Sequence, residues 1–234
     1  MTATLRARRA HGYETPRPDI QAHVPLTARS ILELGCSSGA LGAAIKERQP
    51  ATVVGIELSE EYAAEARERL DRVIVMDAQD VARADVVAEA PFDCLIAADV
   101  LEHLVDPWSA LAGAVAMLED GATVIVSVPN AANWKGLLRI ARTGRWPRDD
   151  EGVYDRTHLS WFGPEDAADL VRAAGVDVYA VDPRYWLTGM RLRIVEILSR
   201  TRLSPLLPFQ VIVAGTKRPT DRPRPRSARG ERFG

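Results

Sequence analysis

Acidic residues and glycines follow the first predicted strands in a pattern that suits a nucleoside ligand. In "ELGCSSG", Gly35 lets the chain turn sharply off the strand, and Gly39 lets the next helix begin close to a ligand. The N-terminus of that helix offers unpaired N–H groups to an anion. Glu57 ends the second strand, where a carboxylate can accept hydrogen bonds from ribose hydroxyls, and Asp77 ends the third, where it could read an adenine edge. Together these positions predict a nucleoside site rather than acids that only cap helices.

A second group of reactive side chains lies in "GVYDRTHLSWFG", residues 152–163. This loop brings an acid, Asp155, next to a histidine, His158, and aromatic rings. A positioned imidazole can take a proton from a reacting group, which contributes about 10²–10⁴-fold to a rate. His103, which follows the fourth strand, is a second candidate base. Either histidine can also serve only to hold the local structure together, and that alternative stays open.

The glycine spacing disfavours other nucleotide chemistries. Gly35, Gly39 and Gly42 do not form the G-x-G-x-x-G pattern that brings the backbone against a pyrophosphate, and a Gly-Lys-Ser/Thr phosphate loop is missing. The spacing is closer to that of short-chain dehydrogenases, but no tyrosine has the required lysine four residues later.

The elements that position these residues alternate between short β-rich runs and helical patterns, which predicts an α/β fold. Continuously apolar strands separated by helices indicate a parallel sheet covered on both faces. We expect a doubly wound, mostly parallel sheet of seven strands, with an insertion after the fifth strand. The predicted divisions are residues 1–29 over the active site, 30–216 as the catalytic domain with a lid or acceptor-side insertion at 130–163, and 217–234 as a disordered basic tail.

The motifs together resemble the class I S-adenosylmethionine-dependent methyltransferases. The resemblance is carried by "ELGCSSG", by Glu57 and Asp77 at the strand ends, and by "AADVLEHLVDPWSAL", and it covers roughly residues 31–215. It implies a Rossmann-like fold, S-adenosylmethionine as the cofactor and a pocket above the strand ends. The residues that it assigns to the cofactor are Glu33, Gly35, Cys36, Gly39, Glu57, Leu58, Asp77, Ala78, Ala98 and Asp99, with Gln79 and Leu101 as weaker candidates.

The chemistry of the cofactor agrees with this assignment. Its methionine end carries a carboxylate, which suits the glycine-turn amides, and an ammonium, which suits Glu33 or Asp99.

The acceptor side resembles methyltransferases of glycan and polysaccharide biosynthesis in "YDRTHLSWF" and "SVPNAANW". The resemblance implies O-methylation of a hydroxyl on a sugar, a glycan or a glycosylated metabolite. His158 is then the preferred base, His103 the alternative, and Asp155 orients His158 or binds a sugar hydroxyl. The tryptophans, all after residue 100, suit a sugar or aromatic substrate, or pack the insertion's own core. A quinone, phenol, amine or carbon acceptor stays open, as do a non-catalytic cofactor binder and a nicotinamide oxidoreductase.

The composition limits the partners and the cellular compartment that we expect for this chain. The 234 residues are 47% hydrophobic and 26% charged, with a formal net charge of −2, so no general attraction to nucleic acid is expected. The first residues lack the apolar region of a signal peptide, and no apolar run approaches membrane-spanning length, so we expect a cytoplasmic protein without a membrane span. A homo-oligomer stays open.

Metal sites and amphipathic segments give weaker expectations. Two cysteines are too few for a disulfide framework or a zinc site, and Mg²⁺ has no dedicated motif, although Asp99, Asp155 and His158 are loose candidates for holding it.

The stretch "WKGLLRIARTGRW" is expected to form a lid helix. "MRLRIVEILSR" is expected to form a sheet-covering helix, with a partner or membrane surface as its alternative.

Overall fold

A seven-stranded sheet forms the centre of the computed structural model, which describes residues 14–185 and 204–220. The strands, in chain order, are β1 (Ser30–Leu34), β2 (Thr52–Glu57), β3 (Arg72–Val75), β4 (Phe92–Ala98), β5 (Leu118–Pro129), β6 (Val176–Arg184) and β7 (Gln210–Lys217). Their order in the sheet is β3-β2-β1-β4-β5-β7-β6. The first five pair in parallel, and β7 runs antiparallel to both β5 and β6. The predicted doubly wound, mostly parallel sheet is confirmed.

The strands are apolar throughout because the sheet is covered on both faces. All of β1 after Ser30 is buried, and so is β2 between its two end residues. Parallel strands covered on both faces need this continuous pattern rather than an alternating one. Two buried clusters result, one around Leu34, Ile56 and Leu95, the other around Ile31 and Ile96.

The helices lie between the strands in sequence. Those in the described residues are α1 (Pro18–Gln21), α2 (Ala40–Arg48), α3 (Glu60–Ala66), α4 (Ala84–Val87), α5 (Pro107–Ala116), α6 (Trp134–Thr143) and α7 (Pro164–Ala173). As predicted, Pro107 occupies the first turn of α5, where the Asp106 side chain accepts a hydrogen bond from the Ser109 N–H. Ser59 lies at the N-cap of α3 as expected, but its side chain makes no capping hydrogen bond.

The insertion between β5 and α7 is tied to the segment just before β7 by two asparagines. Asn130 donates to the carbonyls of Pro205 and Pro208, and Asn133 donates to Pro208 and caps α6. The α6 backbone also approaches Tyr154 closely: a Cβ built on Gly136 would lie 1.8 Å from the Tyr154 hydroxyl oxygen. Tyr154 belongs to the loop of residues 151–158, so α6 packs closely against that loop.

Several predictions fall on residues outside those described. They concern the first thirteen residues of the segment predicted over the active site, the helix expected in "MRLRIVEILSR" (residues 190–200), and the predicted tail beyond residue 220. Among the helices that are described, none has both the length and the apolar character needed to cross a membrane.

Candidate active site

A cavity of about 930 Å³ lies above the carboxyl ends of the parallel strands. This volume is near the upper end of the usual range for small-molecule sites, about 300–1,000 Å³, so it can hold a nucleoside cofactor and a small acceptor together. Of the ten residues that the resemblance assigns to the cofactor as its main candidates, all but Gly39 line this cavity, and so do the three predicted catalytic residues. One site therefore collects positions that are more than a hundred residues apart in sequence.

The glycine turn after β1 forms one wall of the cavity. Gly35 has φ +68°, and a Cβ at this position would lie 2.9 Å from a Val100 methyl carbon, so a larger residue would be both strained and crowded. Gly39 has φ +78° and precedes α2, but it packs against Leu70 and Ala66 instead of facing the cavity. Its role is close packing at the helix start, which explains why it is the predicted cofactor residue that does not line the cavity.

The two strand-end acids are held by backbone N–H groups. Glu57 accepts hydrogen bonds from the N–H of Ser59 at 2.8 Å and of Ser37 at 2.9 Å. Asp77 accepts from the N–H of Gln79 at 2.9 Å, which caps a 3₁₀ turn at Ala78–Asp80. Each acid therefore orders local backbone and also lines the cavity.

The two weaker cofactor candidates do not reach the cavity. The Gln79 side chain exchanges hydrogen bonds with the backbone of Asp106, and Leu101 is fully buried in the core.

Glu33 places a buried carboxylate in the wall of the cavity. It is 4% exposed, and its Oε2 has no hydrogen-bond partner. Burial, with the nearby Glu57 as a smaller contribution, raises the pKa of Glu33 to about 8, against the effect of a hydrogen bond with the Gly42 backbone. An unpaired buried carboxylate oxygen is costly, so this position favours a cationic partner.

Asp99, also predicted to contact the methionine end, already has a cationic partner. Its Oδ2 lies 2.5 Å from a guanidinium nitrogen of Arg17, while its Oδ1 accepts from Ser127 at 2.9 Å and from Gln210 at 2.6 Å. Arg17 also binds both carboxylate oxygens of Asp19. Of the two acids predicted for the cofactor ammonium, Glu33 is thus the one with an oxygen lacking a hydrogen bond.

Arg17 is a site residue that the sequence analysis missed. It lines the cavity and takes the left-handed conformation, φ +46°, just before the proline that begins α1. Burial alone would lower the pKa of Arg17, but Asp99 and Asp19 raise it, so the guanidinium stays charged. A weak signal was available in "RPD", where an arginine precedes a helix-starting proline and an acid.

The two predicted bases meet on the opposite wall. The rings of His103 and His158 pack edge to face with centroids 4.7 Å apart. The Nδ1 of His158 lies 3.0 Å from the Val153 carbonyl oxygen, which can only accept, so Nδ1 carries the proton and Nε2 has a lone pair. Burial, and then the neighbouring His103, lower the pKa of His158. His158 is therefore a neutral imidazole near pH 7, the form that a base requires.

Asp155 connects to His103 through a residue that was not predicted. Its Oδ1 accepts hydrogen bonds from the Thr157 N–H at 2.8 Å and from the Thr157 hydroxyl at 2.7 Å. The same hydroxyl lies 3.1 Å from Nδ1 of His103. The hydrogen bonds that the Asp155 carboxylate accepts from Thr157 lead to His103, and the expectation that Asp155 orients His158 or binds a sugar hydroxyl stays a prediction.

A group of possible metal ligands lies beside the two imidazoles. Within the described part of the chain, ligand atoms of Glu102, His103 and His158 lie within 4.8 Å of one another. This set shares only His158 with the Mg²⁺ candidates named from the sequence. Because Mg²⁺ prefers oxygen ligands, two imidazoles and one carboxylate suit a transition metal better.

Two tryptophans of the insertion segment, Trp146 and Trp161, pack on each other. Trp146 and Trp161 contact at 5.2 Å between ring centroids, and Tyr154 packs against both. No tryptophan among the described residues lines the cavity. Trp146 and Trp161 therefore pack within the insertion, although Trp146 is half exposed, whereas Trp134 on α6 is exposed and Trp186 lies outside the described residues.

Comparison with known proteins identifies the family. A family model for a methyltransferase domain matches residues 7–213. The ubiquinone biosynthesis O-methyltransferase of Thiobacillus denitrificans is 30% identical over 179 residues, which cover 73% of this chain and 72% of that protein. The protein of the same name from Methylococcus capsulatus is 28% identical over 174 residues, covering 73% and 69%. Alignments with some other relatives of this name span about half of their length.

The solved structures agree on the fold. A S-adenosylmethionine-dependent methyltransferase from Thermotoga maritima, described as a possible histamine N-methyltransferase, aligns over 91% of this chain and 94% of its own, with a TM-score of 0.62 and 21% identity. The glycine turn, the strand-end acids and the family match agree, so this chain belongs to the methyltransferase-domain family and is an S-adenosylmethionine-dependent methyltransferase.

Proposed function

We propose that this enzyme methylates the hydroxyl oxygen of a small phenolic acceptor, with His158 as the general base. The observation that carries the proposal is the buried imidazole of His158, whose Nδ1 proton is committed to the Val153 carbonyl and whose pKa is lowered. A base of this kind can accept a proton from a hydroxyl at neutral pH through Nε2.

The residues around the cavity suit each part of the cofactor. The amides of the glycine turn suit a carboxylate, with the guanidinium of Arg17, already paired with Asp99 and Asp19, as a further N–H donor. The unpaired oxygen of Glu33 suits an ammonium. We assign Glu57 to the ribose hydroxyls and Asp77 with Ala78 to adenine, and all three residues line the cavity. When bound, the cofactor supplies an electrophilic methyl group on its sulfonium sulfur.

The chain's own part in the reaction is to position the acceptor and remove its proton. Direct displacement requires the acceptor oxygen to line up with the methyl carbon and the sulfur, and such positioning can supply about 7–11 kcal/mol in the best cases. The proton of the acceptor hydroxyl moves to Nε2 of His158. His103, held through Thr157 by Asp155, disfavours a positive charge on His158 and so keeps that base neutral before the transfer.

Two arguments favour a phenol over a sugar. A phenol ionises at about pH 10, whereas water, as a reference for an ordinary hydroxyl, ionises at about 15.7. A weakened imidazole base is better matched to the more acidic group. The curated relatives are also named for O-methylation in ubiquinone biosynthesis, which supports a hydroxylated ring and not the polysaccharide association inferred from "YDRTHLSWF".

An acceptor panel tests the proposal. Purified protein is incubated with S-adenosylmethionine and either hydroxylated aromatic compounds or free sugars, and the products are identified by mass spectrometry. We expect a methyl group on a phenolic oxygen, and a His158→Gln variant slowed by about 10²–10⁴-fold. His23→Gln, a histidine outside the cavity, is the matched control and should retain activity. Methylation of sugars alone would exclude the phenolic acceptor.

A second arm of the experiment tests the base. If His158→Gln methylates its best acceptor at the wild-type rate, His158 is not the base. Titration of both proteins with S-adenosylhomocysteine shows whether the cofactor pocket is intact in the variant. Titration of the wild type with a nicotinamide dinucleotide tests the oxidoreductase alternative.

A further inference from the structure

The helix α6 carries an apolar stripe on its exposed side. Trp134, Leu137, Leu138 and Ala141 recur with the i, i+3, i+4, i+7 spacing of a single helix face. In a globular protein such a face normally turns toward the core. Here all four residues are exposed, the two leucines by 38% and 39% and the tryptophan by 46%, while Gly136 is the one buried residue of the helix.

Basic residues flank this apolar stripe, and no acidic residue lies among them. From residue 134 to residue 148 the sequence contains Lys135, Arg139, Arg142, Arg145 and Arg148 and no aspartate or glutamate. Arg139 is paired with Asp149 at 2.8 Å. All five basic residues are exposed. The surface formed by α6 and residues 144–148, which we call the α6 surface, is thus both apolar and cationic, although the whole chain has a net charge of −2.

We propose that the α6 surface docks this enzyme on an anionic phospholipid membrane. A helix that lies in the membrane interface has leucine or tryptophan on one side and lysine or arginine beside it, which is the pattern of α6. The second tryptophan, Trp146, is 46% exposed at the end of the helix, and tryptophan prefers the headgroup level of a bilayer. The charge of the surface complements anionic lipid and the leucines complement acyl chains, whereas a nucleic acid would use only the charge.

The α6 surface is also connected to the wall of the cavity. Gly136 of α6 packs against Tyr154, and the loop of residues 151–158 that contains Tyr154 contributes several residues to that wall. Docking would therefore place a membrane next to the acceptor side of the enzyme. Binding itself needs neither cofactor nor acceptor, so its test is independent of the proposed methyl transfer.

Vesicle co-sedimentation of the full chain tests the proposal. We expect binding to vesicles of phosphatidylglycerol and phosphatidylcholine but not to phosphatidylcholine alone. Raising the salt from about 0.1 M to about 1 M shortens the Debye length from about 10 Å to about 3 Å, which should weaken the binding. The paired change Arg142→Gln and Arg145→Gln should weaken it about 30-fold, at the usual contribution of a cation near an anionic surface.

The apolar part of the surface has its own variant and control. The paired change Leu137→Ser and Leu138→Ser should reduce binding by about tenfold or more, because less apolar area enters the bilayer. Matched controls are Val87→Ser with Tyr179→Ser, which are exposed apolar residues elsewhere, and Arg67→Gln with Arg172→Gln. Both control pairs should bind as the wild type does, and circular dichroism should show all variants folded.

Three results would overturn the proposal. The first is a full chain that does not bind anionic vesicles at low salt. The second is binding that neither α6 variant reduces, since the contact would then lie elsewhere. The third is a requirement for the arginines without the leucines, together with tighter binding to a short nucleic acid duplex, which would assign the charge to a different partner.

Discussion

Replacing Glu33 by glutamine should stabilise the cofactor-free protein and at the same time weaken cofactor binding. The carboxyl is 4% exposed, has an oxygen without a hydrogen-bond partner, and has a pKa raised to about 8. From an ordinary value near 4.5, at 1.36 kcal/mol per pH unit, this corresponds to roughly 5 kcal/mol. Because the folded state holds its proton more tightly than the unfolded state, this contribution favours folding at low pH. It is lost as the pH rises from about 4.5 to about 8.

The assay compares thermal or denaturant unfolding of both proteins between pH 5 and pH 9, without ligand. In this window Glu33→Gln should lose less stability than the wild type as the pH rises, so its relative stability should be greatest above pH 8. Glu47→Gln, an exposed change on α2, controls for the loss of a carboxylate in itself.

Cofactor binding should move in the opposite direction. A hydrogen bond to a charged group contributes about 1.5–3 kcal/mol, so Glu33→Gln should bind S-adenosylhomocysteine about 10- to 150-fold more weakly in calorimetric titration. A variant that binds as tightly as the wild type would refute the assignment of Glu33 to the ammonium. A variant whose stability follows the wild-type pH dependence would refute the raised pKa of Glu33.

Three further predictions concern the base His158, the residue Arg17 and the packing of α6. The midpoint of the acid limb of the pH–rate profile should lie below the ordinary pKa of histidine, because burial and His103 lower the pKa of His158. Kinetics with a phenolic acceptor measure this midpoint, and a midpoint above pH 7 would contradict the prediction. Arg17→Met should raise the KM for S-adenosylmethionine by about tenfold or more, with partial recovery in Arg17→Lys; an unchanged KM would remove Arg17 from the cofactor site. Gly136→Ala should lower stability by about 1–3 kcal/mol, because the added Cβ would lie 1.8 Å from the Tyr154 hydroxyl oxygen; denaturant unfolding shows it, and an unchanged midpoint would mean that α6 can shift.

The fold was predictable because its signals are local. Continuous apolar runs such as β1 and β2, turns at glycine, and the proline that begins α5 act within a few residues of the element that they define. The positions of the strand-end acids followed from topology, since the carboxyl ends of parallel strands meet at one edge. The least local features of the sheet, the antiparallel pairings of β7, depend on contacts with β5 and β6 that periodicity does not encode.

The partners of the site residues were harder to predict because they come from distant segments. Arg17 reaches Asp99 across 82 positions from a start without periodicity, and the Thr157–His103 contact spans 54 positions. The sequence predicted that the acids and the histidines lie near the cavity, but it did not show that Asp99 forms an ion pair with Arg17. Nor did it show that the carboxylate of Asp155 acts through Thr157.

The charges around the cavity explain how one pocket can serve two different ligands. At the proposed cofactor side, Glu33 has a carboxyl oxygen without a hydrogen-bond partner, which suits an ammonium, and the amides of the glycine turn suit a carboxylate. At the acceptor side the imidazole of His158 is kept neutral by burial. A cationic base there would repel a sulfonium, whereas a neutral imidazole would not, and His158 would gain its positive charge only on taking the proton of the acceptor. The same burial that weakens His158 as a base therefore suits it to work beside a positively charged cofactor.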